Sequence, residues 1–279
     1  MRKLTIIGVG LLGGSIGLAA RERKVVSTVV GYSRRETTLR DAVQTGAVDA
    51  AENDLAKAVR DADLIIFCTP MSAMGMLAHQ IAPLIKRGAV VTDVGSVKTP
   101  VVELLEPIFK RVGTSFVGSH PIAGSEKSGV GAARVNLFVG KTCIITPTPQ
   151  TNRKAQQEIA AFWTALGMKV RVLAPRAHDA VIARVSHLPH VVASAVVNAI
   201  CKDGGRPLKY AGPGFRDSTR VAASSPEMWA EICAVNHKEI GKALDDLIEE
   251  LTLARENLGR PPLLKFLRRA KKYRDAFKL

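Results

Sequence analysis

The first thirteen residues constrain this chain more than any other part. A short apolar run over residues 4–8 passes directly into Gly8-Val9-Gly10-Leu11-Leu12-Gly13, and a helical pattern follows. The spacing G-x-G-x-x-G between a strand and a helix asks three things of the backbone. Gly8 permits a tight turn, Gly10 lets a pyrophosphate approach the main chain, and Gly13 lets the helix lie close on the strand. The start of that helix offers unpaired N–H groups and the positive end of its dipole to phosphate. The motif predicts a dinucleotide site at Gly8, Gly10, Leu11, Leu12 and Gly13.

The pattern continues for more than half the chain. Apolar runs recur at residues 25–32, 64–69, 89–93, 115–118, 142–146 and 169–173, and helical spacing fills most of the gaps. Continuous apolar strands separated by helices argue a parallel sheet covered on both faces. The second run ends in Gly31-Tyr32-Ser33-Arg34-Arg35. NAD sites usually carry a carboxylate there for the ribose hydroxyls. Here a serine and two arginines suit a 2′-phosphate, so NADP is the expected cofactor and NAD the alternative. Thr69 and Pro70 close the third run and are expected at the cofactor as well.

Beyond Pro175 the strand signal stops. Residues 177–201 and 226–258 read as two long helical patterns, the first interrupted by Pro189 and the second begun by Ser225-Pro226 and ended by Gly259. The expected architecture is an α/β dinucleotide-binding domain of Rossmann type at 1–174 and an all-α domain at 175–279. The apolar stripe of the second pattern is too long for the remaining residues to cover, so a two-fold homodimer is expected.

Charge and composition narrow the functional classes. Forty Lys and Arg against 25 Asp and Glu give +15, and residues 260–279 hold eight bases and one acid. Aromatic content is only 5% and no nucleic-acid-binding motif occurs, so nucleic acid is not the expected partner. The field instead favours encounter with anionic small molecules. No uninterrupted apolar run reaches the roughly 18 residues of a membrane span, and the N-terminus lacks a cleavage pattern. Four scattered cysteines without C-x-x-C spacing give no metal or disulfide framework. A cytoplasmic, metal-free protein is expected.

Two further segments follow strands, where open α/β sheets bind ligands: Asp93-Val94-Gly95-Ser96-Val97-Lys98 and Gly118-Ser119-His120-Pro121-Ile122-Ala123-Gly124-Ser125-Glu126. A histidine in such a loop can act as a general base. Together with G-V-G-L-L-G-G-S, H-D-A-V-I-A-R-V-S-H-L-P-H and G-F-R-D-S-T-R-V-A, these blocks give a sequence that resembles the prephenate and arogenate dehydrogenases of tyrosine biosynthesis along nearly its whole length.

The resemblance implies oxidative decarboxylation of prephenate with hydride transfer to NAD(P)+, or of arogenate, and dimerisation through the helical domain. It implies His120 as the base for the ring hydroxyl and Ser96 as its hydrogen-bond partner. Arg220 would grip a substrate carboxylate, with Arg216 and Asp217 beside it, His190 lining the pocket and Glu126 near its entrance. His187 is equally expected to be a packing residue. The base is expected to titrate near the ordinary histidine range, roughly 6 to 7. Competing readings are another dehydrogenase of the same two-domain plan and a non-catalytic NADP-binding regulator.

Overall fold

A computed structural model describes residues 1–125, 127–202 and 204–277. Strand β1 (Lys3–Ile7) leads into α1 (Leu11–Glu22), and the pattern repeats through β2 (Thr28–Tyr32), α2 (Glu36–Gln44), β3 (Ala50–Glu52), α3 (Leu55–Val59), β4 (Leu64–Phe67), α4 (Met71–Ile81), β5 (Val90–Asp93), α5 (Thr99–Arg111) and β6 (Ser115–Pro121). Next come β7 (Thr142–Thr146), α6 (Arg153–Ala165) and β8 (Lys169–Val172). The eight strands form one sheet in the order β3-β2-β1-β4-β5-β6-β7-β8. Strand order reverses between β1 and β4, which opens a crevice beyond their carboxyl ends.

Two-residue periodicity divides the core. Leu4, Ile6, Leu64 and Ile66 face one apolar cluster with α1 and α6; Ile7, Ile65 and Phe67 face the other with Met74, Leu105 and Phe109. Strands β4 and β5 are buried along their whole length, as expected for a sheet covered on both sides.

Two local expectations need correction. The sheet is not wholly parallel, because β6 pairs antiparallel with β7 from Gly118↔Thr146 to Pro121↔Cys143. That pairing extends the strand past its apolar run, so His120 lies within β6 and not in a loop after it. The three-residue strand β3 is also present, too short to show periodicity.

The remaining chain is helical: α7 (Pro175–Ile182), a π-helical turn (Ala183–His187), α8 (Leu188–Ile200), α9 (Pro213–Thr219), α10 (Pro226–Val235), α11 (His237–Glu256) and α12 (Pro262–Ala276). The pattern at 226–258 is therefore two helices broken at Asn236, whose side chain turns inward to Asp179 and His187. Ser225 caps α10 as its position predicts, accepting a hydrogen bond from Met228 N–H. The continuous stretch Pro175–Ile200 has the length and composition of a membrane span, which a search for uninterrupted apolar runs passes over. Its inner face carries His178, Asp179, His187 and His190, all buried. Asp179 docks this stretch on the sheet domain by accepting hydrogen bonds from the Lys98 and Thr99 N–H groups at the start of α5. The Glu231 carboxylate does the same for Ser72 N–H at the start of α4.

Candidate active site

The glycine turn has the three properties its spacing demands. Gly8 has φ +99°, and a Cβ there would lie 2.8 Å from the Cys68 carbonyl oxygen. A Cβ on Gly13 would lie 2.3 Å from the Gly8 oxygen, so helix and turn are in backbone contact. A Cβ on Gly10, by contrast, would meet nothing within 4 Å. The helix α1 starts there with no side-chain cap and no acid in its first turn, so its N–H groups remain for a ligand. Beside Gly8, the Thr69 hydroxyl is buried without a partner, and Pro70 leads into α4. Leu11 and Leu12 pack their side chains on the core. Room at Gly10, bare N–H groups and an orphaned hydroxyl fit a dinucleotide.

At the end of β2, Ser33 is half-buried and accepts a hydrogen bond from Arg35 N–H. Arg34 and Arg35 are exposed, and among the described residues no carboxylate pairs with them.

His120 lies near the carboxyl end of β6, at the same end of the sheet as the glycine turn, and is 91% buried. Its Nδ1 is 2.9 Å from His178 Nε2, and His178 Nδ1 is 2.8 Å from Asp179 Oδ1. Each Asp179 oxygen also accepts a main-chain N–H, from Lys98 at 2.7 Å and Thr99 at 2.8 Å. These bonds fix the tautomers in sequence. A carboxylate only accepts, so His178 donates through Nδ1 and keeps its lone pair at Nε2. His120 then donates through Nδ1, which leaves Nε2 as its basic nitrogen. His178 and Asp179 lie in the H-D-A-V-I-A-R block, yet sequence reasoning gave them no role.

Charge at the site is set by burial. Desolvation lowers the His120 pKa well below the ordinary histidine value, and the nearby His178 and Lys98 charges lower it further. Burial lowers His178 as well, against the pull of Asp179. The Asp179 carboxyl is raised by burial, but its bonds from His178, Thr99 and Lys98 outweigh this and hold it below the usual range. His120 therefore titrates lower than its residue type predicts, below the roughly 6 to 7 expected from the sequence.

A line of contacts runs from this pair into the helical domain. Asn236 Nδ2 bridges the Asp179 carbonyl and His187 Nδ1, at 3.1 and 3.2 Å. His187 meets the Trp229 ring edge-on, and His190 stacks on the same ring, with centroids 3.5 Å apart and planes 5° apart. Desolvation lowers the His190 pKa against a hydrogen bond to the Val221 backbone, the residue after Arg220. His187 Nε2, His190 Nδ1 and Trp229 Nε1 are buried without partners, the signature of polar groups awaiting a ligand or water.

Not every expected residue is drawn into this line. Ser96 is half-buried in the loop after β5 and makes no hydrogen bond among the described residues. Arg216 and Asp217 are exposed on α9, and Arg220 is exposed at the start of the next turn. Glu126 lies outside the described residues. Trp229 and Asn236 carried no sequence signal beyond an apolar stripe.

Comparison with known proteins settles the relationship. Residues 16–172 match the family described as prephenate dehydrogenase, nucleotide-binding domain, and residues 174–268 match prephenate dehydrogenase, dimerization domain. The chain belongs to the prephenate dehydrogenase family. Among relatives, it is 34% identical to a cyclohexadienyl dehydrogenase of Zymomonas mobilis, over 99% of this chain and 96% of that one. The crystal structure of prephenate dehydrogenase from A. aeolicus, in complex with hydroxyphenyl propionate and NAD+, is 33% identical with TM-score 0.92 over 100% of this chain and 99% of the other. That of Synechocystis arogenate dehydrogenase is 31% identical with TM-score 0.82, over 99% and 100%. This prephenate dehydrogenase relative is thus an NAD(P)-linked oxidoreductase with a dimerization domain.

Proposed function

We propose that the chain oxidatively decarboxylates prephenate to 4-hydroxyphenylpyruvate, with His120 Nε2 as the base. The observation that carries this is the Asp179–His178–His120 line, which leaves one defined lone pair at the end of the sheet that also bears the dinucleotide turn. Gly8, Gly10, Leu11, Leu12, Gly13, Thr69 and Pro70 would hold the cofactor, and when bound it supplies the hydride acceptor. His120 accepts the carbinol proton as the hydride leaves the same carbon, and Ser96 orients that hydroxyl. The C–CO₂ bond then breaks, its electron pair enters the ring, and CO₂ departs. The proton held at His120 returns to the forming phenol oxygen, so the base is regenerated.

Arg220 holds a substrate carboxylate, with Arg216 and Asp217 beside it, and His190 lines the side-chain end. A neutral His190 gives an ammonium no attractive partner, which favours the keto acid prephenate over its amino counterpart. The unpaired Arg34 and Arg35 beside Ser33 support NADP over NAD. The domain boundary falls at 174/175, the active form is a cytoplasmic homodimer, and the +15 charge serves encounter with anionic substrate and cofactor, with no nucleic acid or membrane partner. Reduction of NADP+ and NAD+ followed at 340 nm with prephenate and with arogenate tests this reading. Turnover of prephenate, faster with NADP+, is expected. Turnover of arogenate alone would reverse the substrate assignment, and none with either would remove the activity.

A further inference from the structure

Lys98 is wholly buried, at 0% exposure, where lysine is almost never found unless paired. Its ammonium donates to Asp93 Oδ2 and, at 3.0 Å, to the carbonyl of Ser119, the residue before His120. Its own N–H donates to Asp179 Oδ1. Burial lowers the Lys98 pKa, and the Asp93 carboxylate bonded to it works against that; Asp93 also accepts N–H groups from Gly95 at 2.8 Å and Ser119 at 3.2 Å, so the two groups are held as a hydrogen-bonded pair. Lys98 thus touches both ends of the His120–His178–Asp179 line without touching either imidazole. A purely structural role explains little here. Strands β5 and β6 are already joined from Val90↔Ser115 to Thr92↔Val117, and a buried ion pair adds little stability after desolvation.

We propose that Lys98 is a positioning residue that holds a fixed positive charge behind His120 and keeps its imidazole in the neutral, proton-accepting form. The inference rests on His120 being the base and adds the group that tunes it. Of the other groups facing His120, His178 and His187 lower its pKa only when they are themselves protonated. His178 from α7 and His187 from the π-helical turn are themselves depressed by burial, His187 to about 4. The thiol of Cys143, hydrogen-bonded to the His120 backbone from β7, is pushed up by burial and stays uncharged. Asp93 and Asp179 are engaged by Lys98, His178 and main-chain N–H groups.

The test is a ring-nitrogen NMR titration of the full chain with labelled histidine. There are six histidines, and His120→Asn identifies the signal of His120. In Lys98→Met the His120 titration should rise by about one unit, the usual scale of charge effects in folded proteins, and the acid limb of kcat/KM should follow. That variant leaves Asp93 buried and unpaired and so loses stability. Lys98→Met/Asp93→Asn removes both charges; it should melt near the parent, and its titration should return toward the parental value because the Asp93 charge opposes that of Lys98. A signal unmoved in Lys98→Met, or one moved as far in the double variant as in the single, would make Lys98 structural and overturn the inference. If His120→Asn turns over normally, the base assignment fails instead, while the NMR shift still reads the Lys98 effect.

Discussion

At the His120 ring, the nitrogen that keeps its lone pair is decided two side chains away along a line of contacts, at Asp179. Removing that nitrogen's function should therefore be severe and specific. His120→Asn should cost about 10²–10⁴-fold in kcat, the usual range for a general base, with cofactor affinity retained in a fluorescence titration. Because burial lowers the His120 pKa, the neutral form persists to lower pH than in a free histidine. The acid limb of kcat/KM should accordingly lie below 6.5; a limb above 7 would contradict the burial argument. The cofactor loop makes a second residue-scale prediction. Arg34→Ala with Arg35→Ala should raise KM for NADP+ about tenfold or more, the loss of roughly 1.4 kcal/mol, and leave KM for NAD+ nearly unchanged. An unaltered ratio would mean that both arginines only face solvent.

The entry of α1 shows how one element serves packing and binding with different glycines. Gly13→Ala would drive a Cβ to 2.3 Å from the Gly8 carbonyl oxygen, a backbone atom that cannot step aside. This variant should lose cofactor binding and melt several degrees lower. Gly10→Ala meets no protein atom within 4 Å, so its thermal melt should match the parent while its dinucleotide affinity falls about tenfold or more. Equal affinity in Gly10→Ala would place the pyrophosphate elsewhere. The helical domain has its own element-scale logic. Asn236 ends α10 because its side chain is recruited inward to Asp179 and His187, so a helical pattern that is continuous in sequence breaks where the site needs a polar group.

For the whole molecule, buried histidines set the acid limit of stability. The His187 pKa falls from 6.5 to about 4 on folding, and His120 and His178 move the same way. The unfolded chain then binds more protons than the folded one between these values, so stability rises with pH across the window. The contribution is full above 6.5 and is lost as pH falls toward 4. Thermal melts at pH 7.5, 6 and 5 should descend in that order, and a flat profile would contradict the burial of these rings. Assembly is the other property at this scale. Ile248, Leu251 and Leu253 on α11 and Leu264 and Leu267 on α12 are each about half exposed or more, within or beside the matched dimerization domain. Light scattering at micromolar concentration should give twice the chain mass of 29.9 kDa; the single-chain mass would refute a stable dimer.

Short-range rules made much of this protein legible in its sequence. Glycine spacing marked the phosphate turn, apolar runs marked the sheet, and the ordered blocks pointed to the family. Each depends on residues a few positions apart, or on composition along one element. The geometry around His120 does not. His120 and His178 are 58 positions apart, and Lys98 and Asp179 are 81; only the packing of α7 against α5 and β7 brings them together. The same packing lowers the His120 pKa, since desolvation is a property of enclosure and has no signature in local sequence. His120 was read as a loop residue because β6 outlasts its apolar run by pairing with β7, a partner more than twenty residues away. Sequence by itself determined the fold class, the cofactor turn and the residue types available for chemistry. Tertiary structure decided which His120 nitrogen keeps its lone pair, because tautomer and proton affinity are set by neighbours that only folding supplies.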